Sequence, residues 1–255
     1  MKRGRTHQRH ASCGVDAPGF FPFALVGLMV TLIAGVSSRR PGPFVGAAGL
    51  LGSLGFFLHT TRRGKFLVWR ELIDGLRLHG DERILDLGCG RGAVLLSAAR
   101  RLTTGQAVGV DIWSRKDQSG NSPRTAKENS EIEGVQDRVS LTTADMTALP
   151  FPAATFDVVV SNVAIHNIRG LPCRLSAVDE AVRVLRPGGR LLIADLRSTG
   201  GYVTRLESIG MIDVHRRGLG WRMWWGGPWG TTRLVTARKA GQAEGADSSS
   251  LQRTR

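Results

Sequence analysis

Apolar runs alternate with helical patterns after residue 71, and this alternation constrains the fold more than any other feature of the chain. The apolar runs lie at 83–88, 107–112, 139–145, 156–163 and 190–196. Helical patterns lie at roughly 92–102, 122–134 and 172–185, and "LRPGG" stops the last of them. Strands that alternate with helices form parallel βαβ units with helices on both faces of the sheet. We therefore predict an α/β fold with a mostly parallel, doubly wound sheet, which binds ligands at the carboxyl ends of its strands.

The end of the chain departs from this pattern. Residues 212–238, around "WWGGPWG", are typical of an antiparallel hairpin. Residues 240–255 are polar and small, which predicts a disordered tail.

Two long uncharged stretches precede the α/β region. They cover 17–38 and 41–61, and only Arg39 and Arg40 lie between them. Each can span the ~30 Å of a bilayer core as a helix of about 20 residues. Buried core helices, a cleaved signal peptide and a start codon placed too early are the alternatives. We predict a basic tail at 1–16, a transmembrane hairpin at 17–61 and an α/β domain at 62–239.

Small residues share one face of each uncharged stretch, which predicts that these faces pack together. They are Ala24, Gly27, Thr31, Gly35 and Ser38 in the first stretch, and Gly42, Gly46, Gly49 and Ser53 in the second. Positive charge favours both chain ends on the cytoplasmic side of an inner or cytoplasmic membrane. The charges are Lys2, Arg3, Arg5 and Arg9 before the hairpin and Arg62, Arg63, Lys65 and Arg70 after it.

The basic charge of the chain is concentrated outside the α/β domain. The net charge is +14, but residues 1–70 hold ten Lys and Arg against one acid, Asp16. This distribution makes nucleic acid an unlikely partner. The scattered Cys13, Cys89 and Cys173 predict neither a disulfide framework nor a metal site.

A glycine loop with an acid in front of it follows the first apolar run. In "ILDLGCGRGAVLL", Gly88, Gly90 and Gly92 form GxGxG, whereas a dinucleotide loop requires GxGxxG. Asp86 would repel a pyrophosphate, which prefers N–H donors. An ammonium or a sulfonium would be attracted to it. The alternative is a tight turn that needs glycine for its geometry alone.

Four motifs in this order resemble those of class I S-adenosylmethionine-dependent methyltransferases. They are "LDLGCGRG", "VGVDIW", "TADMTALPFPAATFDVVVSNVAIHNI" and "VLRPGGRLLIADL". The resemblance covers about 66–239 and is nearest to small-molecule enzymes of the ubiquinone/menaquinone-biosynthesis and arsenite types. The arsenite type fits poorly, since three scattered cysteines do not offer the several thiols expected. The resemblance implies a Rossmann-like sheet of seven strands and S-adenosylmethionine as cofactor.

The resemblance also implies the roles of the cofactor-binding residues. Asp86, Gly88 and Gly90 would lie near the methionine end, with Cys89 as a small filler inside the loop. Asp111 would accept the ribose hydroxyls, and Ile112, with Trp113 as a further candidate, would flank the adenine. Asp145 would accept the adenine amino group, the Met146 N–H would pair with the ring, and the Ser161 backbone would meet the methionine part. The alternative for Asp145 is a solvated strand end.

His166 is the candidate general base for an acceptor that must lose a proton. It follows the fourth apolar run in "AIHNI", and imidazole suits proton transfer near neutral pH. The alternative is a structural or substrate-lining histidine. Residues 114–129 are a candidate part of the acceptor pocket or a solvated loop. "GWRMWWGGPWG" suits either a membrane interface or aromatic packing within the hairpin.

These observations predict a membrane-anchored methyltransferase for a small-molecule or lipid-like acceptor, and they make no prediction of the oligomeric state. A nucleic-acid or protein methyltransferase is one alternative, although "SNVA" stands where DNA amino-methylators carry N/D-P-P-Y/F. An NAD(P)-dependent oxidoreductase is disfavoured by GxGxG, and Tyr202, the sole tyrosine, is not part of a Tyr-x-x-x-Lys pair. A non-catalytic cofactor-binding module remains open.

Overall fold

The computed structural model describes residues 16, 17 and 19–241. The predicted basic tail, except for Asp16, and the predicted disordered tail beyond residue 241 lie outside the described residues.

A seven-stranded sheet forms the centre of the α/β domain. The strands are β1 Arg83–Leu87, β2 Gln106–Asp111, β3 Val139–Thr143, β4 Phe156–Asn162, β5 Leu185–Asp195, β6 Met211–Gly218 and β7 Arg233–Lys239. Their order is β3-β2-β1-β4-β5-β7-β6. β1 to β5 run parallel, while β7 pairs antiparallel with both β5 and β6. The predicted Rossmann-like α/β fold with its antiparallel C-terminal hairpin is confirmed.

Helices cover both faces of the sheet. They are α3 Lys65–Gly75, α4 Ala93–Ala99, α5 Pro123–Ile132, α6 Leu171–Val184 and α7 Thr199–Ser208. Ile84 of β1 packs with α3 and α4 in one buried cluster, whereas Leu85 packs with α6 and α7 in the other. Because both faces are covered, the central strands are apolar almost throughout. The patterns predicted α4, α5 and α6 but not α3 or α7.

Two further helices form an antiparallel hairpin ahead of this domain. They are α1 Phe20–Ser38 and α2 Pro41–His59. The rings of Phe20 and Phe57 stack with centroids 4.4 Å apart at the base of the hairpin. A Cβ on Gly35 would lie 2.8 Å from the Phe44 ring, and one on Gly46 would lie 3.7 Å from the Thr31 methyl. The seam therefore uses part of the predicted small faces.

The remaining members of those faces are placed differently. A Cβ added to Gly42 or Gly49 would meet no described atom within 4 Å. By length and composition the helices α1 and α2 could cross a membrane. Gly35 is the one buried residue that the structure gives in α1, so most of the apolar surface of this helix faces away from the described chain.

The hairpin continues into the domain without a break. A π-helical turn at Thr60–Gly64 joins α2 to α3, so that one helix runs over Pro41–Gly75. The segment 221–230 packs against the end of α2 where the hairpin meets the domain. Its aromatic contacts are the ring pairs Phe56–Trp224, Phe57–Trp225 and His59–Trp221. This segment thus ties the hairpin to the domain.

Candidate active site

The glycine loop connects β1 to α4 through three left-handed residues. Gly88, Gly90 and Gly92 have φ values of +72°, +52° and +93°. The Gly88 N–H donates to the carbonyl of Val110 over 2.8 Å, which holds the loop against β2. A Cβ on Gly88 would collide with Ala164. Glycine is therefore required here both for its dihedral angles and for its lack of volume.

Asp86 is a buried carboxylate at the end of β1. Its residue is 2% exposed, and its Oδ2 atom has no hydrogen-bond partner among the described residues. Burial raises the pKa of this carboxyl from its ordinary 3.8 to about 7, and the nearby charge of Asp111 adds to the rise. Because burying an unpaired charge is costly, this oxygen would gain from a cationic ligand.

Asp111, at the end of the neighbouring strand β2, accepts hydrogen bonds from the glycine loop and from the segment after β2. One oxygen accepts the Gly90 N–H over 2.8 Å, and the other accepts the Trp113 N–H over 2.5 Å and the Asn121 amide over 3.3 Å. The side chain is buried at the carboxyl end of β2. Asp111 thus links the glycine loop to the segment after β2.

Cys89 lies inside the loop and is buried. Burial, together with the charges of Asp86 and Asp111, raises the pKa of its thiol well above the ordinary value. A thiol held in its neutral form is a poor nucleophile. This environment agrees with a filler role for Cys89.

A cavity of about 330 Å³ joins most of the predicted site residues, a size that suits a small-molecule site. The predicted residues on its wall are Asp86, Gly88, Cys89, Gly90, Asp111, Ile112, Met146 and His166. Two predicted residues do not line it. Asp145 is exposed and accepts hydrogen bonds from the Thr147 N–H and hydroxyl, each over 2.8 Å. The Ser161 hydroxyl donates to the Leu87 carbonyl over 2.9 Å, away from the cavity.

Sequence reasoning missed two amides on the cavity wall. Asn162 follows Ser161 at the end of β4, and Asn121 lies in the segment after β2. Both side-chain oxygens are buried without a hydrogen-bond partner among the described residues. The position of Asn162 at a carboxyl strand end was a signal that could have identified it.

His166 lies in a short 3₁₀ helix, Ile165–Asn167, after β4. Its Nδ1 atom is 2.6 Å from Oδ1 of Asp195, without the alignment of a straight hydrogen bond. Asp195 is fully buried at the end of β5, and its Oδ2 accepts the His166 N–H over 3.0 Å and the Tyr202 hydroxyl over 3.2 Å. The carboxylate therefore fixes both the backbone and the ring of His166 beside the cavity.

Asp16 and Ala17 line one side of the cavity. Asp16 pairs with Lys65 over 2.5 Å and accepts hydrogen bonds from Thr61 over 2.7 Å and Gln118 over 2.9 Å. Lys65, one of the basic residues counted after the hairpin, is only 2% exposed. The segment 114–129, whose last residues belong to α5, contributes Lys116, Asp117, Gln118 and Asn121 to the wall, as its candidate role in the pocket requires.

The tryptophan-rich segment 221–230 divides into two pairs. Trp224 and Trp225 pack on the hairpin, whereas Trp221 and Trp229 are 54% and 77% exposed. Arg222 pairs with Glu71 of α3 through two contacts of 2.7 and 2.8 Å. The segment therefore combines internal packing with exposed aromatic surface.

Comparison with known proteins identifies the domain that carries this site. Residues 85–193 match a family model described as a methyltransferase domain. The match runs from β1 into β5 and contains every predicted site residue. It indicates S-adenosylmethionine as the cofactor of the domain.

The similarity to curated relatives covers only part of this chain and part of each relative. The chain is 37% identical over 123 residues to the 27-O-demethylrifamycin SV methyltransferase of Amycolatopsis mediterranei, covering 47% of this chain and 40% of the relative. It is 31% identical over 133 residues to the ubiquinone/menaquinone biosynthesis C-methyltransferase UbiE of Dinoroseobacter shibae, covering 52% and 50%. The chain thus spans half of the length of these relatives or less.

Solved structures share the fold. The chain superposes on geranyl diphosphate methyltransferase in complex with SAM with a TM-score of 0.57 and 16% sequence identity. The superposition covers 72% of this chain and 88% of that one. At this identity the likeness is one of fold alone.

Proposed function

We propose that this chain is a membrane-anchored methyltransferase that transfers a methyl group from S-adenosylmethionine to a small lipophilic acceptor. The observation that carries the proposal is the buried carboxylate of Asp86, with one unpaired oxygen, in front of a glycine loop that is open to ligand. Such a loop would suit a phosphate without the acid. With the acid, it suits a cation.

The residues present fit S-adenosylmethionine, whose methionine part carries an ammonium and whose sulfur is a sulfonium. Asp86 would compensate this positive charge, and Gly88 and Gly90 would let the backbone approach it. The Asp111 oxygens, already held by N–H donors, would accept ribose hydroxyls, as an acid at a second strand end does in related folds. Ile112 and Met146 would hold the adenine, with Asp145 at its edge.

The chemistry that this cofactor supplies is an electrophilic methyl group on a positively charged sulfur. The protein contributes alignment of the acceptor with that group, a proximity effect worth up to about 7–11 kcal/mol. His166 takes the proton of an acceptor hydroxyl or acidic carbon, and Asp195 stabilises the resulting imidazolium. Positioned proton transfer of this kind contributes about 10²–10⁴-fold to rate.

The exposed apolar surface of the hairpin supports the membrane anchor. Phe23, Met29, Ile33 and Val45 are all largely exposed, and large apolar patches mark surfaces that another phase or partner covers. Trp221 and Trp229 lie at the base of the hairpin, where amphipathic rings suit the membrane–water interface. The Lys and Arg counts on the two sides of the hairpin support a cytoplasmic location of the domain.

The proposal of a lipophilic acceptor is supported by this anchor and by the relative named for ubiquinone and menaquinone biosynthesis. An enzyme tethered at a bilayer meets bilayer-resident molecules at high local concentration. A small amphiphile is therefore the acceptor class that the whole chain fits best.

Calorimetry on the full chain in lipid nanodiscs tests the cofactor. S-adenosylmethionine and S-adenosylhomocysteine should bind, and NADH should not. Binding of NADH alone would overturn the proposal in favour of an oxidoreductase.

Incubation of the full chain with bacterial membranes and methyl-labelled cofactor tests the acceptor class. Label should enter the lipid extract as products heavier by one CH₂ unit. Label confined to the protein or nucleic-acid fraction would overturn the lipophilic acceptor, and cofactor binding without any product would indicate a non-catalytic module.

A further inference from the structure

We infer that the base of the hairpin is itself a wall of the acceptor site, and that the cavity receives the apolar chain of an acceptor directly from the membrane. This inference rests on the proposed function and goes beyond anchoring. An anchor alone would need no contact with the cavity. Here α2 supplies Phe57 to the cavity wall.

Phe57 connects three parts of the molecule at one point. It is 3% exposed, and its ring stacks on Phe20 at 4.4 Å and meets Trp225 edge-on at 5.6 Å. Trp225 lines the same cavity. The hairpin and the tryptophan-rich segment thus contribute apolar rings to the cavity wall, which also carries the Asp16–Lys65 ion pair.

The cavity wall carries polar as well as apolar side chains. Ile168 and Leu196 line it together with His166, and Asp86 and Asp111 line it at the glycine loop. An amphiphile with a polar reactive head and an apolar chain matches this mixed lining. The head would lie near His166, and the chain would extend towards Phe57 and Trp225.

The location of Phe57 indicates from which side the apolar chain of the acceptor enters the cavity. Phe57 lies in the last turn of α2, two residues before His59, whose ring packs on the exposed Trp221 with centroids 4.8 Å apart. In a bilayer this exposed tryptophan ring would mark the interface with the head groups. An acceptor could therefore present its head to His166 while its chain stays in contact with the hydrocarbon layer.

Photolabelling in nanodiscs of phosphatidylcholine and phosphatidylglycerol tests this route on the full chain. The probe is a hydroquinone with a prenyl-length alkyl chain that bears a diazirine, and its matched control is the diazirine hydroquinone without the chain. We expect the chain-bearing probe to label the peptides that hold Phe57 and Trp225 several-fold more than the short probe.

A matched pair of variants separates the cavity wall from the rest of the junction. Phe57→Ala should reduce labelling of the Trp225 peptide several-fold. Phe56→Ala should leave it unchanged, because Phe56 packs on Trp224 and does not line the cavity. Both variants should keep the far-UV circular dichroism spectrum of the unmutated chain, which shows that the domain is folded.

Labelling confined to outward-facing residues such as Phe23 and Val45, with none at the Trp225 peptide, would overturn the inference. So would equal effects of the two variants. The proposed function fails separately, through absence of S-adenosylmethionine binding, so the two failures are distinguishable.

Discussion

Replacing Asp86 with asparagine is expected to stabilise the protein in mildly alkaline solution while weakening cofactor binding. The wild-type carboxylate is buried with one unpaired oxygen, and burial raises its pKa to about 7. Asparagine keeps the shape and removes the charge. The same substitution removes the negative charge that attracts the cofactor.

The magnitude follows from the pKa shift. The pKa rises from 3.8 to about 7, and one unit corresponds to about 1.4 kcal/mol, so the buried charge costs at most about 4 kcal/mol above pH 7. Between pH 4 and pH 7 the folded protein binds this proton more tightly than the unfolded chain does. The free energy of unfolding of the wild type therefore falls, through this group, as the pH rises across that window, and the loss is complete above about pH 7.

The most informative quantity is the change, from pH 5 to pH 8, in the stability that Asp86→Asn gains over the wild type. At pH 5 the charge costs about 1.6 kcal/mol, against about 4 at pH 8. The unpaired amide of asparagine adds a cost of about 1–3 kcal/mol, which is the same at both pH values. The gain from Asp86→Asn should therefore be about 2.5 kcal/mol larger at pH 8 than at pH 5, or about 5–10 °C in unfolding midpoint.

Thermal unfolding of the cofactor-free full chain, followed by circular dichroism at pH 5 and pH 8, measures this difference. The exposed Asp145→Asn is the matched control for removal of a carboxylate without burial. A midpoint difference for Asp86→Asn that is the same at both pH values would refute the reasoning, as would a loss of stability that grows towards pH 8. Calorimetry at pH 8 should show S-adenosylmethionine affinity reduced about tenfold or more, since 1.4 kcal/mol is one order of magnitude.

Three further predictions follow from the site and the hairpin. Asp145→Ala should weaken cofactor binding about tenfold with an unchanged unfolding midpoint, because the side chain is exposed; a lower midpoint with unchanged affinity would make the residue structural. His166→Ala should lower turnover on the lipid acceptor by about 10²–10⁴-fold, with cofactor affinity retained. Asp195→Asn should shift the pH profile of turnover, also with cofactor affinity retained. Undiminished turnover of His166→Ala would exclude this histidine as the base. Gly35→Leu should separate α1 from α2 in micelles, measured as a lower unfolding midpoint, whereas Gly49→Leu should not; the opposite order would contradict the observed seam.

The sheet could be predicted from the sequence because its strands are buried on both faces. Such strands give continuous apolar runs, and four of the five predicted runs agree with strands β1 to β4 within a few residues. The fifth strand, β5, begins five residues earlier than predicted, because Leu185 already pairs with Phe156 of β4 and "RPGG" forms an irregularity before pairing resumes at Arg190. The helix α7 was missed because "TGGYVTRLES" holds two glycines, and its helical state depends on packing against the sheet rather than on propensity.

The site residues also divide into those that the sequence predicts and those that it does not. Asp86, Gly88 and Asp111 lie at or just after strand ends, so the local sequence pattern was enough to find them. Phe57 reaches the cavity through contacts between segments that are more than 160 residues apart in the chain, as with the 164-residue separation of the Thr60–Trp224 hydrogen bond. Local patterns carry no information about such contacts.

The unbroken helix Pro41–Gly75 has a mechanical consequence. At 1.5 Å per residue its 35 residues form a helix about 50 Å long. It begins in the hairpin and ends against one face of the sheet. With no flexible linker in between, any tilt of α2 in a bilayer would be transmitted to the domain. Because helices tilt to match hydrocarbon thickness, the depth at which the cavity meets the lipid would follow the thickness of the membrane. Bilayer composition would then act on this protein as a control of substrate access.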